Sequence, residues 1–187
     1  MDLDTALASR RSVRDYTAEP IDEATIRDLI GAAVLAPSAT NAQPWSFTVV
    51  RDRALLDRLS AETKAYLLAG ALPDGPGVER RRERLADPDY QIFHHAPVLI
   101  LIAGVASDRW VVEDCALAAE NLMLAAAALG LGTCWIGYAQ RYLETPAGRA
   151  LVGLPEEVVA VAPVIVGHPN AVPGPTDRRE PGIRWLG

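Results

Sequence analysis

Helices alternating with strands inside one mixed domain are what this sequence predicts, on three observations. Apolar residues recur at helical spacing in several segments, strand-length runs rich in β-branched residues lie between them, and neither a linker nor an internal repeat divides the 187 residues. Half the residues are hydrophobic and 22% are charged, enough to bury a full core as a single domain spanning 1–187.

Taken in order, Leu3 to Ser9 reads as a short helix. Asp22 is an N-cap for a second one, whose stripe is Ile26, Leu29, Ile30, Ala33 and Val34 and which Pro37 stops. "WSFTVV" (45–50) alternates and is β-branched, as strands are. Ala54 to Leu72 is helical again, with Leu55, Leu56, Leu59, Tyr66 and Leu67 on its apolar face. "GALPDGPG" (70–77) breaks it and is the most loop-like stretch of the chain. A charged segment follows, then the strand "PVLILIAG" and a helix from Trp110 to Leu129 that is apolar nearly all round. Burial in a subunit interface is the natural cover for such a helix. The strand "TCWIGYA" (133–139), a short helix, the strand "VVAVAPVIVG" (158–167) and a Pro-rich tail complete the chain.

Charge and composition exclude several functions. A net charge of -6 argues against nucleic acid, which asks for a basic face. The longest apolar runs are strand-sized, so no membrane span is expected. The opening "MDLDTALASRRS" lacks an apolar signal core, making a cytoplasmic location the expectation. Cys115 and Cys134 have no CxxC or histidine spacing, and neither a disulfide framework nor a metal site is expected.

The stretch "RRSVRDY" (10–16) sets three arginines around a serine in this acidic chain. Guanidiniums and a hydroxyl are the groups that hold a phosphate through charge-assisted hydrogen bonds. Basic residues are equally at home at a helix C-terminus, where they complement the dipole. No GxGxxG follows a strand and no GxxxxGK precedes a Ser or Thr, so neither a dinucleotide fingerprint nor a P-loop supports the phosphate reading. In "LAPSATNAQPW" (35–45), the amides of Asn41 and Gln43 suit a heterocycle edge that presents carbonyls and an N–H together. These are also ordinary turn residues.

The combination resembles the nitroreductase family of FMN-dependent oxidoreductases: Arg-Arg-Ser-x-Arg near the start, then Ala-Pro-Ser-x-x-Asn-x-Gln-Pro-Trp. The resemblance continues through "APVLILI" (96–102), "EDCALAAENLMLAAAALGLGTCWIG" (113–137) and "VAPVIVGHP" (161–169). It implies an α+β fold, a three-layer α/β/α sandwich with a central, mostly antiparallel sheet, in an intertwined homodimer with FMN at the interface. The helix 110–129 would form the central contact, 70–95 a variable lid or loop, and 170–187 a tail wrapping the partner. The resemblance places Arg10, Arg11, Ser12 and Arg14 on the FMN phosphate, ribityl chain and pyrimidine edge. A guanidinium at that edge would also favour the negative charge that reduction brings. Pro37, Ser38, Ala39 and Asn41 would line the flavin, with Gln43 reaching it from the partner subunit. Ile136 and Gly137 would belong to a strand packed on the ring, with a backbone N–H toward it and glycine allowing the approach. Arg178 and Arg179 are candidates to close the phosphate site.

The implied activity is reduction of nitro-aromatic or quinone-like small molecules by ping-pong exchange, with NADH or NADPH as reductant and no catalytic side chain. The alternatives are another flavin reaction, reductive dehalogenation or flavin cleavage, or FMN binding without turnover. His94 and His95 read as edge or surface residues, and both cysteines as core residues. "ERRRER" (79–84) reads as a solvated helical face.

Overall fold

The computed structural model describes residues 1–105 and 107–187. Its sheet contains β1 (Trp45–Val50), β2 (Val98–Val105), β3 (Gly132–Trp135) and β4 (Val158–Gly167), in the order β1-β2-β4-β3 with every pair antiparallel. The two central strands are the two near-continuous apolar runs of the sequence. Both their faces are covered, so alternation with polar residues would have buried polar groups. Along β2, Val98, Ile100 and Ile102 enter one core, while Leu99, Leu101 and Ala103 enter the other. The register of β4 shifts opposite Ile102 and Ala103, which lets Ala160 and Ile165 serve one core and Ala162 and Val164 the other.

Two helical layers sandwich the sheet. On one side lie α2 (Glu23–Ala33) and α5 (Val111–Ala128), with α1 (Leu3–Ser9) resting on α5. On the other lie α3 (Arg53–Tyr66), α4 (Val78–Ala86), α6 (Gly137–Leu143) and α7 (Pro146–Val152). Side-chain caps start the helices where the sequence places them. Asp22 accepts from the Thr25 amide at 2.7 Å, Asp52 from Leu55 at 3.0 Å and Thr145 from Gly148 at 3.0 Å.

Two sequence expectations are corrected. The helix of the third element is α-helical only to Tyr66; Leu67–Ala71 forms a wider π turn with Gly70 at φ 121°, a conformation that glycine takes without strain. Within the segment 70–95, the charged stretch expected as a helical face lies in α4. The strand expected over 133–139 stops at Trp135, and Gly137 opens α6 instead. Proline explains that ending. The Ile136 amide donates to the Pro163 carbonyl at 2.8 Å, but Pro163 has no N–H to return, so the ladder cannot continue.

The apolar circumference of α5 is mostly covered within the protomer. Cys115, Ala118, Ala119, Leu122 and Ala126 are fully buried against α2 and the sheet, whereas Val112 and Leu117 remain about half exposed. Small residues permit the close approach: a Cβ on Gly104 would lie 2.4 Å from Val111 Cγ2. The same device is used between α6 and α7. A Cβ on Gly148 would lie 2.0 Å from the Tyr142 carbonyl oxygen, a backbone atom that cannot swing away. Gly148→Ala should therefore lower Tm by roughly 5–10 °C. Gly31→Ala, in the open interior of α2, should raise it slightly, because no atom lies within 4 Å of its added carbon. Thermal melts of both variants test the packing argument, and an unchanged Gly148→Ala would contradict it.

Candidate cofactor site

The N-terminal arginine stretch is held in place by the sheet rather than by its own helix. After α1 ends, the chain runs beside β3: Ser12 forms a parallel bridge with Thr133, and the Val13 amide donates to the Thr133 carbonyl at 2.9 Å. A Cβ on Gly132 would stand 2.8 Å from Val13 Cβ, so glycine is what lets the two backbones approach. This added edge divides the arginines. Arg10 and Arg11 border a small cavity of about 200 Å³ with Val13, Gly130 and Thr133. Arg14 faces a larger cavity of about 600 Å³ with Cys134, Ile136, Gly137 and Tyr138. Arg10 lies 3.7 Å from Glu120 of α5, and Arg11 donates to the Ala8 carbonyl at 2.7 Å and the Gly174 carbonyl at 3.1 Å.

The second stretch is pinned by a residue that the motif did not include. Asp114, buried in the first turn of α5, accepts from the Ala39 amide through both oxygens at 3.1 and 3.2 Å. Ser38 Oγ accepts from the Gln43 amide at 3.0 Å, and Gln43 Nε2 donates to Asn41 Oδ1 at 3.1 Å. Thr40, Asn41 and Gln43 all take left-handed conformations, with φ of 52°, 58° and 47°. Strain of this kind persists only where surrounding contacts over-determine the backbone. Pro37, Asn41 and Gln43 nevertheless stay exposed on the outside of this protomer.

These two stretches do not meet within one chain. The register places Trp135 level with Val49 across β4 and β2, while Trp45 lies four residues further along β1. That separates them by about 14 Å across the sheet and about 13 Å along it. Arg178 and Arg179 lie in a tail that is exposed from Asn170 onward and that meets the first stretch where Arg11 donates to the Gly174 carbonyl. Asn170 anchors the tail's start, donating from Nδ2 to Asp15 Oδ1 at 2.8 Å and to the Tyr16 carbonyl at 3.0 Å.

The larger cavity corrects two sequence readings. His94, expected at an edge, is half-buried in its wall at φ 52°, and Arg81 and Arg84 of the charged helix line it rather than facing solvent alone. Burial pushes the His94 imidazole down to about 4, and the positive charges of Arg84 and Arg14 push the same way. Cys134 is raised, chiefly by burial, with Arg14 pulling against it, which is consistent with an inert core thiol. The cavity was invisible to motif reasoning because its walls come from segments distant in sequence. Tyr90 and His94 precede β2, whereas Tyr138 and Arg141 belong to α6.

Two features of this place fit a flat anionic cofactor. The first-turn amides of α6 have no side-chain cap, and a Cβ on Gly137 would meet no atom within 4 Å, so the Gly137 backbone is open to a ring laid against it. Arg14 supplies fixed positive charge beside it.

The chain belongs to the nitroreductase family, whose model matches residues 7–168. It is 37% identical over 162 residues to an Archaeoglobus fulgidus protein provisionally named NADH dehydrogenase/NAD(P)H nitroreductase, covering 87% of this chain and 82% of that one. Among solved structures it is similar to an FMN-bound nitroreductase of Bacteroides fragilis, with 28% identity, a TM-score of 0.86 and full coverage of both chains. An FMN-bound nitroreductase of Desulfitobacterium hafniense gives 27% identity and a TM-score of 0.83, again with full coverage of both. The fold is thus the nitroreductase α+β fold, and the protein is an oxidoreductase of that family.

The depressed His94 has a consequence for stability. Its folded form resists protonation, so below its ordinary pKa of 6.5 the unfolded chain binds a proton that the folded one does not. Stability contributed by neutral His94 is therefore intact above about 6.5 and is lost as pH falls toward 4. The wild-type protein should lose more Tm than His94→Gln between those limits. Parallel curves for the two proteins would show that the imidazole titrates normally.

Proposed function

We propose that this protein is an NAD(P)H-dependent FMN oxidoreductase that reduces nitro-aromatic or quinone-like acceptors, acting as a homodimer in which each FMN contacts both protomers. The observation that carries the reading is the convergence of Ser12, Arg14 and the uncapped Gly137 amide on one side of β3, with the Ser38–Gln43 loop held at the opposite corner of the sheet. Residues that a single flavin would need are too far apart in one chain. A second copy that brings its own loop to the β3 edge resolves the separation.

Exposed apolar surface supports that assembly. Leu3 and Leu7 of α1, Val112 and Leu117 of α5, and Val34 and Leu35 after α2 are all exposed, on elements that pack side by side. Ile183, Trp185 and Leu186 near the end of the tail are more than 60% exposed. Clustered side chains of this size in water mark an interface, and the tail has the reach to lie across a neighbour. No helix among the described residues is long and apolar enough to cross a membrane.

Bound FMN would supply two-electron acceptance from NAD(P)H and donation to the acceptor. The protein's share is binding and orientation. Arg10 and Arg11 offer positive charge for the phosphate. Arg14 places a guanidinium at the ring's edge, and the Gly137 amide offers a donor where a ring lies against open backbone. His94, neutral at pH 7, adds no charge of its own to the cavity. No side chain is assigned as acid or base, since protons can come from solvent.

Arg10→Ala and Arg14→Ala should each weaken FMN about tenfold or more, from the loss of one charge-assisted bond. Fluorescence titration showing wild-type affinity in both would reduce the arginines to a structural cluster. Rapid bleaching of the FMN-loaded protein by NADH or NADPH, with recovery on adding a nitro-aromatic, is the direct test of turnover. For the dimer, Leu117→Glu is the informative variant, because this side chain is exposed in the protomer and its replacement spares the core. Ala118 and Leu122 are fully buried, and a charge there would unfold the chain instead. Leu117→Glu should shift sedimentation toward monomer and lower FMN affinity together. A folded monomer that keeps FMN at full affinity would overturn the shared site.

A further inference from the structure

The cavity beside β3 holds more positive charge than the N-terminal stretch brings to it. Arg14 comes from that stretch, but Arg81 and Arg84 come from α4 and Arg141 from α6. Against these four guanidiniums the lining has a single carboxylate, Asp74. Elsewhere Arg10, Arg27, Arg53, Arg58, Arg82 and Arg149 each have a carboxylate within 4 Å, while others such as Arg51 and Arg109 have no ion pair among the described residues. Among the described residues, none of the four cavity arginines has one. In a chain with a net charge of -6, leaving four guanidiniums unmatched around one void is a feature to be explained.

Their individual contacts sort them. Arg81 donates to the Pro73 and Pro76 carbonyls, both at 2.9 Å, and so holds the turn that forms one wall. Arg14 stands beside Ser12, with the cofactor-binding stretch. Arg84 lies over the Tyr90 ring, its guanidinium carbon 4.4 Å from the ring centre, a cation–π contact that uses none of its N–H donors. Arg141 has one long bond, 3.3 Å, to the Ala71 carbonyl and four further N–H groups to offer. The remaining lining includes the aromatic rings of Tyr90 and Tyr138 and the apolar side chains of Leu67, Leu72 and Ile92. The positive charges of Arg84 and Arg14 push the His94 imidazole down as well, second to its burial.

We infer that this cavity selects acceptors that carry an anionic group on an aromatic ring, a carboxylate above all, with Arg84 and Arg141 as the anion's partners. Aromatic walls take the ring, and a pre-oriented guanidinium matches a carboxylate through two parallel bonds. The inference rests on the oxidoreductase reading of the site. Phosphate on a nicotinamide nucleotide shares the anionic chemistry, and the two half-reactions separate it from an acceptor carboxylate.

Nitrobenzene and 4-nitrobenzoate are the probes, since they differ only by the carboxylate. In the FMN-loaded protein, Arg84→Gln and Arg141→Gln should each lower the ratio of kcat/KM for 4-nitrobenzoate over nitrobenzene about tenfold or more, through KM. Visible flavin absorbance, read in the same samples, should show full FMN content. An unchanged ratio, or a loss confined to the half-reaction with NADPH, would overturn the inference. Should neither compound be turned over, the nitro-aromatic part of the proposed function fails by itself, and calorimetry still decides the cavity's preference. Benzoate binding tighter than benzamide, and weakened by both substitutions, would support an anion site. Equal binding of the two would refute it.

Discussion

Everything in this structure hangs on the pairing of β2 with β4, two apolar strands whose backbones satisfy each other and whose side chains feed cores on both faces. A strand covered on both sides has no polar face to offer a ligand. Chemistry is therefore displaced to the rim, to the ends of β1 and β3 and the segments laid against them. The same constraint accounts for α5. Its Ala-rich sequence lets it press closely on the sheet, and its first turn carries Asp114, the carboxylate that fixes the Ser38–Ala39 backbone. One helix thus links the core to a functional loop through a single buried acceptor.

The two edges of the sheet are finished differently, and the difference matters for function. At β3 the edge is short and ends where Pro163 cannot donate, so the chain turns at once into α6 and leaves the Gly137 amide open. The N-terminal segment covers the outer side of β3 and brings Arg14 beside that amide. At β1 the edge is preceded by a strained, externally exposed loop. The proposed FMN site draws on both corners, which is why association and cofactor binding are proposed as one event.

Legibility in the sequence followed the range of the interactions concerned. Apolar periodicity and caps are local, so β1, β2, β4 and the starts of α2 and α5 stand where the sequence puts them. The end of β3 was not legible, because it depends on a proline in another strand. The π turn after Tyr66 depends on Gly70 and on packing against α3, which period counting cannot see. The family resemblance supplied the sheet's antiparallel character and the arginine and amide stretches. Distance between those stretches became visible only with the register. Asp114 could have been suspected as the carboxylate that shares a face with Ala118 and Leu122 at helical spacing. Arg84, Arg141 and His94 could not, because each lies in a segment that resembles an ordinary solvated surface until the fold brings them to one void.

That void explains how an acidic protein presents a basic site. Carboxylates outnumber cations over the whole chain, 24 to 18, and some of them form local helix pairs such as Glu23 with Arg27 and Glu62 with Arg58. Surface pairs of that kind contribute little to stability and are easily screened. Arginines gathered at the rim of one cavity act together, because their fields add where a small anion would sit. Local potential, not net charge, sets what binds there. The overall acidity repels polyanions such as nucleic acid, while a small anion that enters the cavity meets unmatched guanidiniums at short range. Selectivity for one small charged molecule among many larger ones needs both parts of that charge distribution.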